Sequence, residues 1–275
     1  MTMLSINTNI GALNSSQSSY SVNKSMETSM ARLSSGNRIN SAADDAAGLQ
    51  IARRMDTEIQ GLNQAVRNAA DAQALLQTAE GALDEVHTIL LRIRELSVQA
   101  SNGTYGAQDR LAIQAEVTDL QSEITRISND TTWNSISLIE GSQSTGITFQ
   151  IGADNTQTVT VAIANIALAT LSIGGTSQVT TATNAMSYIA AVDKAISVIS
   201  TNRGTYAAAI NRLDHSVANM QDAATNLAEA KGRITDADFA AETSNLSRTQ
   251  VLQQASMAML AQANAAKQNI LTLIQ

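Results

Sequence analysis

His87 and His215 are the only imidazoles in this chain of 275 residues, and cysteine is absent. A metal site needs three or four ligands. The two histidines are far apart in sequence, and only an antiparallel helix pair would bring their neighbourhoods together. No His-Glu-x-x-His spacing places two imidazoles and a general base on one helical face. Without thiols there is no disulfide framework, thiol chemistry or cysteine-based zinc site. Asp44-Asp45 has the form of a paired-carboxylate site, and equally of two acids at the first turn of a helix. No glycine-rich phosphate loop occurs, and Gly174-Gly175 reads more simply as loop. Arg203 interrupts an apolar ladder. Either its stem packs along the stripe with the head in water, or it pairs with an acid on a facing helix and sets register. No catalytic, cofactor-binding or metal constellation emerges, so the chain is expected not to be an enzyme and to carry no cofactor.

The elements that would position these side chains are long helices. Met55, Ile59, Leu62, Val66, Ala69, Ala72, Leu76, Ala79, Leu83, Val86, Leu90 and Ile93 form a ladder of three- and four-residue steps. A second ladder runs through Ile189, Val192, Ile196, Ile199, Arg203, Tyr206, Ile210, Leu213, Val217, Met220, Ala224 and Leu227. Each spans 39 residues. Such spacing draws one narrow stripe along a helix, and another helix buries a stripe of that width. At 1.5 Å per residue each would be roughly 58 Å long, which predicts a rod. A shorter ladder at Ile113, Val117, Leu120, Ile124 and Ile127 follows the turn at Asn102–Gly106 and folds back on the first helix.

From residue 130 the period changes. Ile147, Phe149 and Ile151, then Val159, Val161 and Ile163, alternate with polar residues around Gly152-Ala153-Asp154-Asn155, the pattern of a β-hairpin. Residues 165–183 are rich in Ser, Thr and Gly and read as loop or weak strand. Both ends of the chain carry amphipathic helical patterns. Two such helices alone bury little surface, which suits ends that order against further copies of the chain.

Composition agrees. Aromatics are 3% of residues and proline is absent, which suits thin helix-on-helix contact and unbroken helices. The net charge of −7 argues against nucleic acid or an anionic membrane as partner. No apolar run approaches the length of a membrane span, so no membrane insertion is expected. The first residues lack the basic and apolar regions of a cleaved secretory signal.

The residues at both ends resemble those of bacterial flagellin. Ser5-Ile6-Asn7-Thr8-Asn9 matches that family's start. Arg32-Leu33-Ser34-Ser35-Gly36, Arg38-Ile39-Asn40-Ser41-Ala42 and Asp44-Asp45-Ala46-Ala47-Gly48 look like its N-terminal signature, continued by Glu80-Gly81-Ala82-Leu83 and by Arg92 to Gln99. Arg233-Ile234-Thr235-Asp236-Ala237-Asp238-Phe239-Ala240, Gln253-Gln254-Ala255 and Leu260-Ala261-Gln262-Ala263-Asn264 are similar to its C-terminal signature.

The resemblance implies a mainly α fold: a long antiparallel helical rod with a small distal β-hairpin and paired terminal helices, in a short form lacking large variable outer domains. It implies a filament inner core from 1–45 and 233–275, and an outer-tube rod over 46–232. Helices are expected at about 46–100, 107–129 and 184–232, and the hairpin at about 147–163. Inner-core assembly would fall on Ile6, Ile10, Leu13, Leu33, Leu252, Met259, Ile270 and Leu273. A neighbour contact, which in the family also binds the vertebrate Toll-like receptor 5, would fall on Arg92, Leu96, Gln99, Ile113 and Glu116. The implied function is a self-polymerising subunit of the flagellar filament, with a hook–filament junction protein as the alternative. The implied partners are further copies of the chain, the flagellar cap, hook-associated proteins and an export chaperone. The implied location is extracellular, reached through the flagellar type III apparatus without a cleaved signal.

Overall fold

The computed structural model describes residues 8–175 and 178–274, with side chains as far as Ala266. In chain order the elements are α1 (Ile10–Ser35), α2 (Ala46–Ser101), α3 (Ala107–Asp130), β1 (Thr132–Trp133), β2 (Ile136–Ser137), β3 (Ile147–Gln150), β4 (Thr158–Val161), α4 (Leu168–Leu171), α5 (Ala182–Thr235) and α6 (Phe239–Ile274). The fold is mainly α. The expected helix limits agree with α2, α3 and α5 to within three residues. The hairpin β1–β2 and the short α4 were not legible in the sequence pattern.

The chain divides into two compact units, one drawn from residues 1–57 and 226–275 and the other from 58–225. The limits fall inside α2 and α5, whereas the sequence reading set them at the helix ends near 45 and 233.

In the middle unit, α2, α3 and α5 share one core. From Ala69 to Ile93 the predicted ladder of α2 is fully buried. On α5 the ladder is only half right. Val192, Ile199, Tyr206, Leu213 and Met220 are buried at seven-residue steps. The interleaved Ile196, Arg203, Ile210 and Val217 are half-buried flanks. The second line of the seam is instead made of small residues, with Ala195 and Ala209 buried. Small side chains let two helix backbones approach, so large apolar residues are displaced to the sides.

Polar pairs fix α2 against α5 in antiparallel register. Gln73 donates to Asp214 at 2.6 Å, Arg203 meets Asp84 at 2.8 Å, and Arg94 meets Asp193 at 2.6 Å. Each step forward along α2 is matched by an equal step back along α5.

The β elements cap this core. Asn134 and Ser135 both have positive φ, 46° and 65°, as a two-residue turn between β1 and β2 requires. β3 and β4 pair antiparallel from Ile147 with Val161 to Gln150 with Thr158. Val159 and Val161 point inward, while Thr148 and Thr160 share an outward hydrogen bond of 2.9 Å.

The segment after β4 is not a loose loop. Ile163, Ile166, Leu171, Ile173 and Val179 are buried in the same core. Two buried glutamines of α3 hold it. Gln121 Nε2 donates to the Ile173 carbonyl at 2.6 Å and to Tyr188 Oη at 2.8 Å. Gln114 Oε1 accepts from the Val179 N–H at 2.9 Å. Tyr206 Oη accepts from the Ala164 N–H at 2.7 Å. Burial raises the phenol pKa of both tyrosines.

In the terminal unit α1 and α6 run antiparallel. Asn9 caps α1 by accepting from the Ala12 N–H, and Gly36 ends it at φ 73°. That left-handed turn sends the chain across the end of α5. There the Arg38 N–H donates to the Thr235 carbonyl at 2.6 Å and the Ala237 N–H donates to the Gly36 carbonyl at 2.9 Å. Asp238 Oδ1 then accepts from the Ala240 and Ala241 N–H groups and starts α6.

Candidate assembly surface

The contact between α1 and α6 is polar and thin. Arg32 Nη1 reaches Glu242 Oε1 at 3.4 Å, and Asn245 supports the other oxygen of that carboxylate at 3.2 Å. Gln253 donates to Asn23 Oδ1 at 2.8 Å, and Asn9 donates to the Ala263 carbonyl at 3.1 Å. The half-buried residues of α6 along this line are Asn245, Leu246, Thr249, Gln253, Ser256, Leu260 and Ala263. Two leucines share this line with amide, hydroxyl and small side chains.

Further large apolar side chains face away from this contact. Leu13 and Tyr20, seven residues apart on α1, are 61% and 69% exposed. Val251 and Met259 of α6 are 65% and 63% exposed. At 100° per residue Val251 lies opposite the α1 contact, Leu252 and Met259 to one side of it, and Met257 to the other. A helix that is apolar on several sides is one that other surfaces bury.

Of the predicted inner-core positions, Ile10, Leu13, Leu252 and Met259 are exposed in the single chain and Leu33 is half-buried. Ile6 lies outside the described residues, as do the side chains of Ile270 and Leu273. Leu252 and Met259, the predicted α6 positions with described side chains, are not on the line that meets α1. Both are left for something beyond this chain.

In the middle unit, Arg92 is an exposed hub. Its Nε and Nη2 donate to Glu116 Oε1 at 3.0 and 2.8 Å, and Nη1 donates to Glu95 Oε2 at 2.6 Å. Both carboxylates raise the Arg92 pKa, Glu116 most. Gln99 donates to Tyr105 Oη at 3.0 Å. Thus Arg92, Gln99 and Glu116 share an accessible α2–α3 face. Leu96 and Ile113 do not belong to that surface, being 2% and 8% exposed. Leu96 is rotated about 40° from Arg92, into the shared core. Both are core residues that support the face from beneath.

The remaining candidate chemistry resolves into structure. Asp45 Oδ1 accepts from the Gly48 N–H at 2.9 Å and caps α2. Asp44 Oδ2 accepts from the Ser41 N–H, the Ser41 hydroxyl and the Asn40 N–H. Those donors, the Ser41 N–H first, hold the Asp44 carboxyl below its ordinary range. The α2–α5 register sets His87 opposite residue 200, roughly 22 Å along α5 from His215. Among the described residues no group of three or more His, Cys, Asp or Glu side chains is placed to hold a metal ion, and no helix is long and apolar enough to cross a membrane.

Comparison with known proteins agrees with this architecture. The bacterial flagellin N-terminal helical region matches residues 6–144, and the bacterial flagellin C-terminal helical region matches residues 189–274. A flagellin of Halalkalibacterium halodurans is 41% identical over 98% of this chain and 99% of its own length. A flagellin of Bacillus subtilis is 39% identical with the same coverage of both chains. The flagellar filament 33 kDa core protein of Treponema phagedenis is 37% identical, again over 98% and 99%. The crystal structure of Bacillus cereus flagellin superposes with a TM-score of 0.50 at 32% identity, over 60% of this chain and 94% of that one. A hook-associated protein structure from Vibrio parahaemolyticus, described as putative, gives 0.59 at 14% identity over 70% of this chain and all of its own, a likeness of fold alone. With both helical regions matched and relatives aligned almost end to end, the chain belongs to the bacterial flagellin family.

Proposed function

We propose that this chain is the structural subunit of a bacterial flagellar filament and polymerises by burying the outward apolar faces of α1 and α6 against further copies. The single observation that supports this is the inverted packing of the terminal unit. Polar and small residues share the α1–α6 contact with Leu246 and Leu260, while Leu13, Tyr20, Val251 and Met259 face outward. At about 25 cal/mol per Å² of apolar surface removed from water, these side chains supply a drive to associate that the single chain leaves unused. The middle unit then contributes lateral contacts through the Arg92–Glu116 face, the same face that would meet a host Toll-like receptor 5. Export through the flagellar type III apparatus, and contact with cap, hook-associated and chaperone proteins, follow from family membership as part of this reading. The names of the full-length relatives favour a filament subunit over a junction protein.

The test is polymerisation of the purified chain, followed by electron microscopy. Long homopolymers are expected, and removal of residues 1–40 or 240–275 should leave soluble monomer. A chain that stays monomeric at high concentration, with α1 and α6 already protected from hydrogen exchange, overturns the reading.

A further inference from the structure

Arg32 leaves a donor unused. Its Nη1 faces Glu242, but its Nε is buried without an acceptor among the described residues. Buried N–H groups are almost always paired, so an orphan asks for an explanation. The guanidinium borders a cleft of about 360 Å³ between α1 and α6, which Ser25, Ser29 and Arg248 also line. Two guanidiniums face one carboxylate there, and the cleft carries net positive charge. The group it lacks is an anionic acceptor.

The chain offers one such group in its terminal helices. α1 and α6 contain two carboxylates, Glu242 and Glu27. Glu242 is buried and paired with Arg32. Glu27 is exposed and has no hydrogen bond or ion pair among the described residues. It lies two positions from both Ser25 and Ser29, about 160° around the helix from each. It therefore cannot reach the cleft of its own chain. It continues the exposed line of Leu13 and Tyr20 at a further seven-residue step.

We infer that Glu27 of one copy docks in the Arg32–Arg248 cleft of the next, where its carboxylate pairs with the two guanidiniums that line it. This rests on the self-assembly reading above and names the contact that sets its direction. A carboxylate on guanidinium is a charge-assisted hydrogen bond, stronger than a neutral one. Because the two halves of the contact sit on opposite sides of α1, the contact is heterologous. It does not close in a pair but passes from copy to copy. The apolar line beside Glu27 supplies non-directional burial, and the carboxylate supplies register.

The natural absence of cysteine gives a clean test. Full-length Glu27→Cys and Ser25→Cys chains are polymerised as a mixture and treated with a short thiol-specific cross-linker. Dimers are expected from the mixture and not from either variant alone. Dimers of Glu27→Cys alone, or none from the mixture, overturn the inference. In parallel, Glu27→Gln should raise the critical concentration for polymerisation by roughly tenfold or more, since bonds to charged groups are the stronger class. The circular dichroism of the Glu27→Gln monomer should be unchanged, because Glu27 is exposed. Filaments of Glu27→Gln that form like wild type overturn the inference while leaving the self-assembly reading intact. Failure of the wild-type chain to polymerise removes both.

Discussion

Arg203 on α5 holds Glu80 on α2 through two N–H groups, Nε at 3.0 Å and Nη2 at 2.7 Å, while its Nη1 reaches Asp84 at 2.8 Å. One guanidinium thus bridges two acids a helical turn apart on the facing helix. A polar group inside an apolar ladder is tolerated because it is half-buried and fully occupied. The bridge pins α5 to one height along α2, as do the Gln73–Asp214 and Arg94–Asp193 contacts on either side of it.

Replacing Arg203 by Met retains an apolar stem and removes the bridge. The loss is expected to be about 1 kcal/mol, the scale for partly exposed ion pairs. A thermal melt of the monomer reads it. In a double-mutant cycle the Arg203→Met and Glu80→Gln effects should be clearly non-additive. Additive effects would reduce Arg203 to a packed stem.

Ala209 occupies the seam and Ile210 its flank. Ala209→Leu should overpack the α2–α5 contact and cost about 1–3 kcal/mol. Ile210→Ala should cost less than truncation of a fully buried isoleucine, which runs to about 2–5 kcal/mol. Chemical denaturation of the two variants checks the order. The reverse order would return the larger residue to the seam.

Leu13 and Tyr20 are exposed, so Leu13→Ser and Tyr20→Ser should leave the monomer's helix content unchanged. The double variant should abolish sedimentable polymer at concentrations where wild type assembles. A double variant that polymerises normally would detach this face from assembly.

Acid should loosen the segment that leads into α2 and the tie between α2 and α5. The Lys231 hydrogen bond, then its charge, hold the Asp56 carboxyl below the ordinary range, and Asp44 is lowered by the donors around it. A lowered folded pKa gives stability that is complete above about pH 4, the unfolded aspartate value, and is lost as pH falls through the folded value. Hydrogen exchange at residues 40–49, corrected for the intrinsic rate, should accelerate below about pH 4. Asp44→Asn should remove the acid-dependent step at residues 40–44 while leaving the step linked to Asp56.

Helix identity and length were legible because long three- and four-residue periods without proline permit little else. The buried half of α2 from Ala69 onward could be read directly from its ladder. The caps at Asp45 and Asp238, and the α3 turn that follows Gly106, use local chemistry that a sequence also carries. Ile10, Leu13, Leu252 and Met259 were expected at assembly positions from the family signatures that surround them. Their exposure was not, because an apolar stripe looks the same whether it faces its own chain or another.

Tertiary structure decided the rest. It placed Ala195 and Ala209 in the α5 seam ahead of Ile196 and Ile210, since backbone proximity rewards small residues and hydropathy does not report proximity. It buried Ile166, Ile173 and Val179 in a stretch whose Ser, Thr and Gly content looked loose, because Gln114 and Gln121 supply bonds from a distant helix. It moved Leu96 and Ile113 from a presumed surface into the core, since a 40° rotation is invisible in spacing alone. It also separated Glu27 from the Arg32 cleft by half a turn. Sequence by itself specifies periodicity and local capping, which depend on neighbours in the chain. Which side of each helix meets which partner depends on contacts across tens to hundreds of residues, and only the folded backbone fixes those distances.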